Sequence, residues 1–242
     1  MKIIISPAKT VLEGNGTYKD LPVFYDEANK IVSLLRKQDL SSLMKIWNCS
    51  EKIAAVNQRR LNSFSDSHMA AIERFTGMQY KNLQYETLKD KEKKYIEDNV
   101  CILSAMFGIL RPSDGIPEYR LDLRAELKIN GKDLYGFWQD KPYNNLDDHY
   151  IVNLASKEYS DLITPYLGES DCMTSILFLS EKGKSQSTLA KQARGRFLRW
   201  LAVNDVKTIE KMKEFTLDNF MYSQEKSDDT HLVFVKCPLQ KK

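Results

Sequence analysis

Apolar positions along the chain repeat with two spacings, one suited to strands and one to helices. Residues 2–5, KIII, form a short β-branched run ended by Ser6-Pro7, the pattern of a central strand. The stretch 13–20, EGNGTYKD, is rich in turn formers and predicts a loop. Helical spacing follows over about 24–37, with Ala28, Ile31, Val32 and Leu35 on one face. Two further helices are predicted at 41–47 and 50–64, with Ser41 and Ser50 as caps, and another over 66–75 behind Asp66. The segment 89–99 balances four lysines against four carboxylates, as on a solvated helix. VCILSAMFGIL, residues 100–110, begins as a strand and turns at Gly108. YRLDL, 119–123, alternates as a strand does. The remaining pattern predicts a helix at 133–148, a strand at 150–156 and a hairpin turning near Glu181–Lys184. Helices at 189–203 and 208–214 and a closing strand at 231–236 complete it. No repeat, low-complexity segment or linker interrupts this order. The expectation is a single compact α/β domain over residues 1–242, a mixed sheet flanked by helices.

Composition narrows the class. The chain has 242 residues, 42% hydrophobic and 29% charged, as in soluble globular proteins. The N-terminal apolar run is three isoleucines, too short for a secretory leader, and no stretch reaches the ~18 apolar residues of a membrane span. A cytoplasmic protein without a membrane partner is expected. The four cysteines, Cys49, Cys101, Cys172 and Cys237, show no C-x-x-C and no histidine at zinc-ligand spacing. They read as reduced, mostly buried thiols. His68, His149 and His231 are isolated, and Asp147-Asp148-His149 alone is too little for a metal site, so no metal or cofactor is expected.

Three segments carry candidate chemistry. In ISPAKT, residues 5–10, Ser6 and Lys9 have the spacing of Ser-Lys acyl enzymes, but the S-D-N and K-T-G elements of those enzymes are absent, and Lys9-Thr10 is followed by Val11. Two uses stay open for Lys9: a partner for phosphate or carboxylate at the carboxyl end of a strand, where open α/β sheets bind ligands, or a solvated lysine on a turn. The second segment runs from Lys182 to Arg199, with Lys184, Lys191, Arg194 and Arg196 between and no acidic residue. It carries +6 in a chain of net charge +3, so the rest sums to −3. Such a strip suits phosphate backbones, or is a solvated basic helix anchored by Phe197 and Trp200. The third, FGILRPSDGIPEYRL, either aims backbone N–H groups at an anion beside Arg111 and Arg120 or is a rigid loop that plugs the core.

Taken together and in order, ISPAKT, LSAMFGILRPSDGIPEYRLDL (103–123), GKDLYGFW (131–138), IVNLASKEY (151–159) and ARGRF (193–197) resemble the YaaA family of bacterial peroxide-stress proteins over nearly the whole length. The resemblance implies a role in limiting oxidative damage by keeping unincorporated iron low. It implies a compact α/β fold with a positively charged cleft, a helix-hairpin-helix-like element and association with DNA. No established reaction or cofactor comes with it. Its motif positions here include Ser6, Lys9, Arg111, Tyr119, Arg120, Lys132, Asn153, Arg194 and Gly195, and the basic strip adds Lys191 and Arg196. The hairpin is placed at Phe107–Leu110. This chain departs from the pattern in its short EKGKSQ turn and its terminal Lys241-Lys242. The leading expectation is a monomer that binds DNA through the cleft. The alternative is an enzyme acting there on a phosphate-bearing or nucleotide-like small molecule. Direct iron sequestration ranks last, because the sequence supplies no ligand cluster.

Overall fold

A computed structural model describes residues 1–238; Lys241-Lys242 lie outside them. The strands are β1 (Lys2–Ile5), β2 (Met69–Ala70), β3 (Val100–Ser104), β4 (Gly108–Leu110), β5 (Gly115–Ile116), β6 (Tyr150–Leu154), β7 (Cys172–Leu179), β8 (Phe220–Tyr222) and β9 (His231–Lys236). The helices are α1 (Tyr25–Leu35), α2 (Leu40–Ile46), α3 (Glu51–Asn62), α4 (Ala71–Arg74), α5 (Met78–Leu83), α6 (Asp90–Asn99), α7 (Leu134–Trp138), α8 (Lys157–Ser160), α9 (Ser187–Val203) and α10 (Ile209–Met212).

Seven strands form one mixed sheet in the order β4-β3-β1-β6-β7-β9-β8. The five inner strands are parallel, and β4 and β8 are antiparallel edges. Inner parallel strands are covered on both faces, which is why KIII and VCILS are continuous apolar runs rather than alternating ones. Ile3, Ile4 and Ile5 are fully buried, each such side chain contributing about 1.5–3 kcal/mol. β2 and β5 form a separate two-stranded ladder.

Connection order matters for function. From β1 the chain crosses to β3 on one side; from β6 it crosses to β7 on the other. The connections that leave the carboxyl ends of β1 and β6 therefore run in opposite directions. Crevices for ligands form at such a reversal.

Several local expectations are corrected by tertiary context. The cap of α2 is Asp39, not Ser41: its carboxylate accepts the Ser42 N–H at 2.7 Å. Asp66 caps no helix. Residues 69–70 pair with β5, and the N–H groups of Ala71 and Ile72 are taken by the carbonyls of Asp114 and Pro112 at 2.8 and 3.0 Å, leaving only the single turn of α4. The alternation at 119–123 reflects burial of Tyr119, Leu121 and Leu123, but the segment has no ladder partner and is not a strand. The helix predicted at 133–148 stops after five residues, at Gln139 with φ +49°, and Pro142 starts a separate short turn at Tyr143–Asn145. β7 is not half of a hairpin. Both its edges are taken by parallel partners, β6 and β9. A tight turn with one isolated bridge, Leu179 to Ser185, leads straight into α9.

The turn after β3 lies at residues 105–107, not at Gly108, and Gly108 enters β4 with φ +68°. Phe107–Leu110 is thus a buried turn and return strand. The N–H groups of Met106 and Phe107 are used by Ser104 Oγ at 3.1 and 3.0 Å, and Trp138 Nε1 donates to the Ala105 carbonyl at 2.9 Å. This segment plugs the core, and these two amides are spent inside the fold. The cysteines are all free, but only Cys101 is buried, its thiol pushed up to about 11 by desolvation. Cys49 and Cys237 are half-buried and Cys172 is exposed, because β7 begins at the rim of the sheet.

Candidate functional site

Two strand ends build the crevice. Ser6 follows β1 and Ser156 follows β6, and these strands are neighbours. Ser6 Oγ accepts the Ser156 N–H at 2.8 Å and lies 3.3 Å from Ser156 Oγ. Tyr80 on α5 donates its hydroxyl to the Ser6 carbonyl at 2.9 Å. The Ser6 hydroxyl is thereby a clasp between strand ends, and ISPAKT becomes the floor of a cavity of about 520 Å³.

Four other segments wall it: Gly77–Tyr80, residues 119–122, the start of α8 with Glu158 and Tyr159, and the first turns of α9 with Ser187, Lys191 and Arg194. Gly195 makes the last of these possible. A Cβ at that position would stand 2.1 Å from the Gln79 carbonyl oxygen, so only glycine lets α9 lie directly on α5. Phe197, two residues on, is fully buried among Phe178, Phe215 and Phe234, which fixes α9 on the sheet.

The electrostatics of the walls are uneven. Lys9, Arg120, Lys191 and Arg194 face the same space as Asp122 and Glu158. Lys9 is partnered, its Nζ 2.8 Å from Asp122 Oδ2. Others are not. Buried Nε of Arg120, Nε of Arg194, Nε2 of Gln79 and Oε1 of Glu158 have no hydrogen-bond partner among the described residues. All four belong to residues lining this one cavity. Burial holds the Arg194 guanidinium below the usual arginine range. The phenols of Tyr80, Tyr119 and Tyr159 are buried and pushed well up, so they stay neutral. Leaving a buried polar atom unpaired costs about 1–3 kcal/mol, and four of the six such side-chain atoms among the described residues belong to the walls of this one cavity.

Comparison with known proteins identifies the family. The model of a family described as "Peroxide stress protein YaaA" matches residues 1–226. The chain belongs to the YaaA family of peroxide stress proteins. Relatives called "UPF0246 protein" span it end to end. One from Pediococcus pentosaceus is 37% identical, covering 100% of both chains, and one from Limosilactobacillus reuteri is 39% identical over 97% of this chain and 98% of its own. A third, from Finegoldia magna, is 37% identical over 98% of each.

Of the positions expected from the YaaA motifs and the basic strip, Ser6, Lys9, Tyr119, Arg120, Lys191 and Arg194 line the cavity. The others do not. Arg111 is exposed beyond β4, its N–H donated to Asp114 at 2.8 Å. Lys132 is exposed on the turn before α7. Asn153 is buried in β6, donating to Ser175 Oγ at 3.1 Å and accepting the Ala155 N–H at 2.8 Å, so it shapes the strand end that carries Ser156. Arg196 donates to Asn82 at 2.9 Å and pairs with Asp218. Arg199 caps the C-terminal end of α5 through the Leu83 and Gln84 carbonyls, both at 3.0 Å. The basic strip is therefore not one face; helix geometry divides it between the cavity and the packing of α5.

Gln79, Glu158, Asp122, Ser156 and Tyr159 of this YaaA-family chain also line the cavity, and the sequence motifs do not point to them as site residues. For Ser156 a signal exists, since LAS repeats the apolar-strand-then-hydroxyl pattern of IIIS at a second strand end. For Gln79 there is none, because its place depends on how α9 crosses α5.

Proposed function

We propose that this YaaA-family protein works in peroxide-stress protection by binding DNA, with a phosphate held by Arg120, Lys191 and Arg194 at the mouth of the switch-point cavity, as a cytoplasmic monomer. The observation that carries the reading is the pair of buried guanidinium Nε atoms, on Arg120 and Arg194, without a partner in the same cavity. Guanidinium groups favour phosphate, whose oxygens accept forked hydrogen bonds. Neutralised phosphates release counterions, so affinity falls linearly with log salt, by about 0.9 per phosphate contact. The limitation of unincorporated iron is the proposed physiological outcome of that binding.

The test is fluorescence-anisotropy titration of duplex and single-stranded DNA at several salt concentrations. A Lys191→Glu, Arg194→Gln variant is expected to bind more weakly, with a salt slope shallower by about 1–2. Binding by the variant equal to wild type overturns the reading. In cells, the same variant is expected to leave chelatable iron under peroxide as high as in cells lacking the protein.

A second reading, a phosphate-bearing small molecule as ligand, is favoured by one observation. A cavity of about 520 Å³ lies within the roughly 300–1,000 Å³ of small-molecule sites.

A further inference from the structure

We infer that the cavity takes a single nucleotide and that Glu158 selects its base, favouring bases with an exocyclic amino group over uracil and thymine. The inference rests on the reading that the cavity binds phosphate, and it goes beyond that reading by specifying what else the ligand carries.

Phosphate alone leaves the cavity incomplete. It accepts hydrogen bonds, so it satisfies Arg120 Nε and Arg194 Nε. It does not satisfy Glu158 Oε1, a buried acceptor with no donor among the described residues. A phosphate beside that carboxylate would repel it. The ligand must therefore present an anion to one part of the cavity and an N–H donor to another. Gln79 is 6% exposed and its Nε2 lacks an acceptor, so the ligand also offers an acceptor, which an oxygen of the phosphate, the sugar or the base supplies. An anion and an N–H donor on one ligand describe a nucleoside phosphate. The volume agrees, being far larger than a phosphate ion requires.

Selectivity follows from Glu158. A carboxylate accepts from the amino groups of cytosine, adenine or guanine. Uracil and thymine have one ring N–H, flanked by two carbonyl oxygens that face the carboxylate with like polarity. Two sources share this chemistry: a free nucleotide, and a terminal or extruded nucleotide of a DNA strand, which pays a few kcal/mol to leave the stack.

The experiment is isothermal titration of the full chain with CMP, UMP, cytidine and inorganic phosphate, and with single-stranded oligo-dC and oligo-dT. Wild type is expected to bind CMP at least about tenfold more tightly than UMP, one good base contact being worth about 1–3 kcal/mol, and more tightly than cytidine or phosphate alone. Glu158→Gln, whose amide both donates and accepts, is expected to bring the CMP-to-UMP ratio close to one while leaving the far-UV circular dichroism and melting temperature unchanged. Arg194→Gln is expected to weaken CMP and UMP by the same factor. Lys191→Ala, at an exposed position, is the substitute if Arg194→Gln does not fold, with a smaller equal loss expected. Equal binding of CMP and UMP by wild type overturns the inference, as does a ratio unmoved by Glu158→Gln. Oligonucleotides that bind while CMP neither binds nor competes overturn it and leave the DNA reading standing. CMP that binds with oligonucleotides inert does the reverse.

Discussion

Substituting Gly195 by alanine separates two physical effects of opposite sign. Gly195 is in the interior of α9, and on helix propensity alone alanine there should stabilise by about 1 kcal/mol. The tertiary structure reverses this. The added Cβ would stand 2.1 Å from the Gln79 carbonyl oxygen, 2.9 Å from Asn82 Cβ and 3.0 Å from the Gln79 carbonyl carbon. Ordinary contact begins at 3.4 Å, so α5 and α9 must part by about 1.3 Å, and two of the three atoms are backbone with no rotamer to escape into. Overpacking costs about 1–3 kcal/mol, and a rigid backbone obstacle this close puts the cost in the upper part of that range, about 2–3 kcal/mol, which outweighs the propensity gain. The expected result of Gly195→Ala is a net loss of about 1–2 kcal/mol, or about 2–8 °C in melting temperature for a chain of this size. Urea denaturation followed by circular dichroism measures it. Because the main obstacle is a carbonyl, and alanine keeps the Cβ that the Asn82 side chain presents here, Asn82→Ala in the same chain is expected to restore little. Since Gln79 and Arg194 are carried by the two parted helices, ligand binding is expected to weaken as well. A Gly195→Ala protein as stable as wild type, or more so, would refute the claim that close approach of α5 and α9 requires glycine.

Two further outcomes follow from the same geometry. Asp114 is buried and its carboxyl is pushed up to about 6, first by desolvation, against the opposing pull of the Arg111 N–H. The folded state then holds a proton that the unfolded chain has released above about pH 4, so this group's contribution is fully present below pH 4 and is lost as pH rises to about 6, amounting to about 2–3 kcal/mol; Asp114→Asn is expected to remove that decline and to raise the urea midpoint at pH 8, and parallel stability curves for the two proteins would sink the assignment. Ser6→Ala removes the acceptor of the Ser156 N–H, with an expected loss of about 1–2 kcal/mol in chemical denaturation, whereas an unchanged midpoint would mean that the clasp between strand ends contributes nothing.

The site was partly legible before the fold was known. Lys9, Arg120, Lys191 and Arg194 belong to segments whose residue types announce anion chemistry, and all four line the cavity. Arg111, Lys132 and Arg196 have the same residue types and do not. Charge is a property of composition, while convergence is a property of crossing angles and connection order. Arg196 follows Arg194 by two positions, which on a helix turns it to another side, toward Asn82 and Asp218. Gln79 and Glu158 carry no distinguishing signal in the chain, because their significance is the lack of a partner, which exists only after packing.

Local physics along the chain determined the apolar strands KIII, YIVNL and HLVFVK, the buried stripe of α1 and the long run of α9. Each is a continuous apolar run or an uninterrupted 3.6-residue period, legible without knowledge of its neighbours. Tertiary structure decided what depended on competition for partners. It denied 119–123 a ladder, cut 133–148 short, gave both edges of β7 to parallel strands and divided the basic strip. It also set β1 beside β6 with their connections running opposite ways. That reversal opens the crevice, and no spacing within a single segment encodes it, because it arises from the order in which distant strands join one sheet.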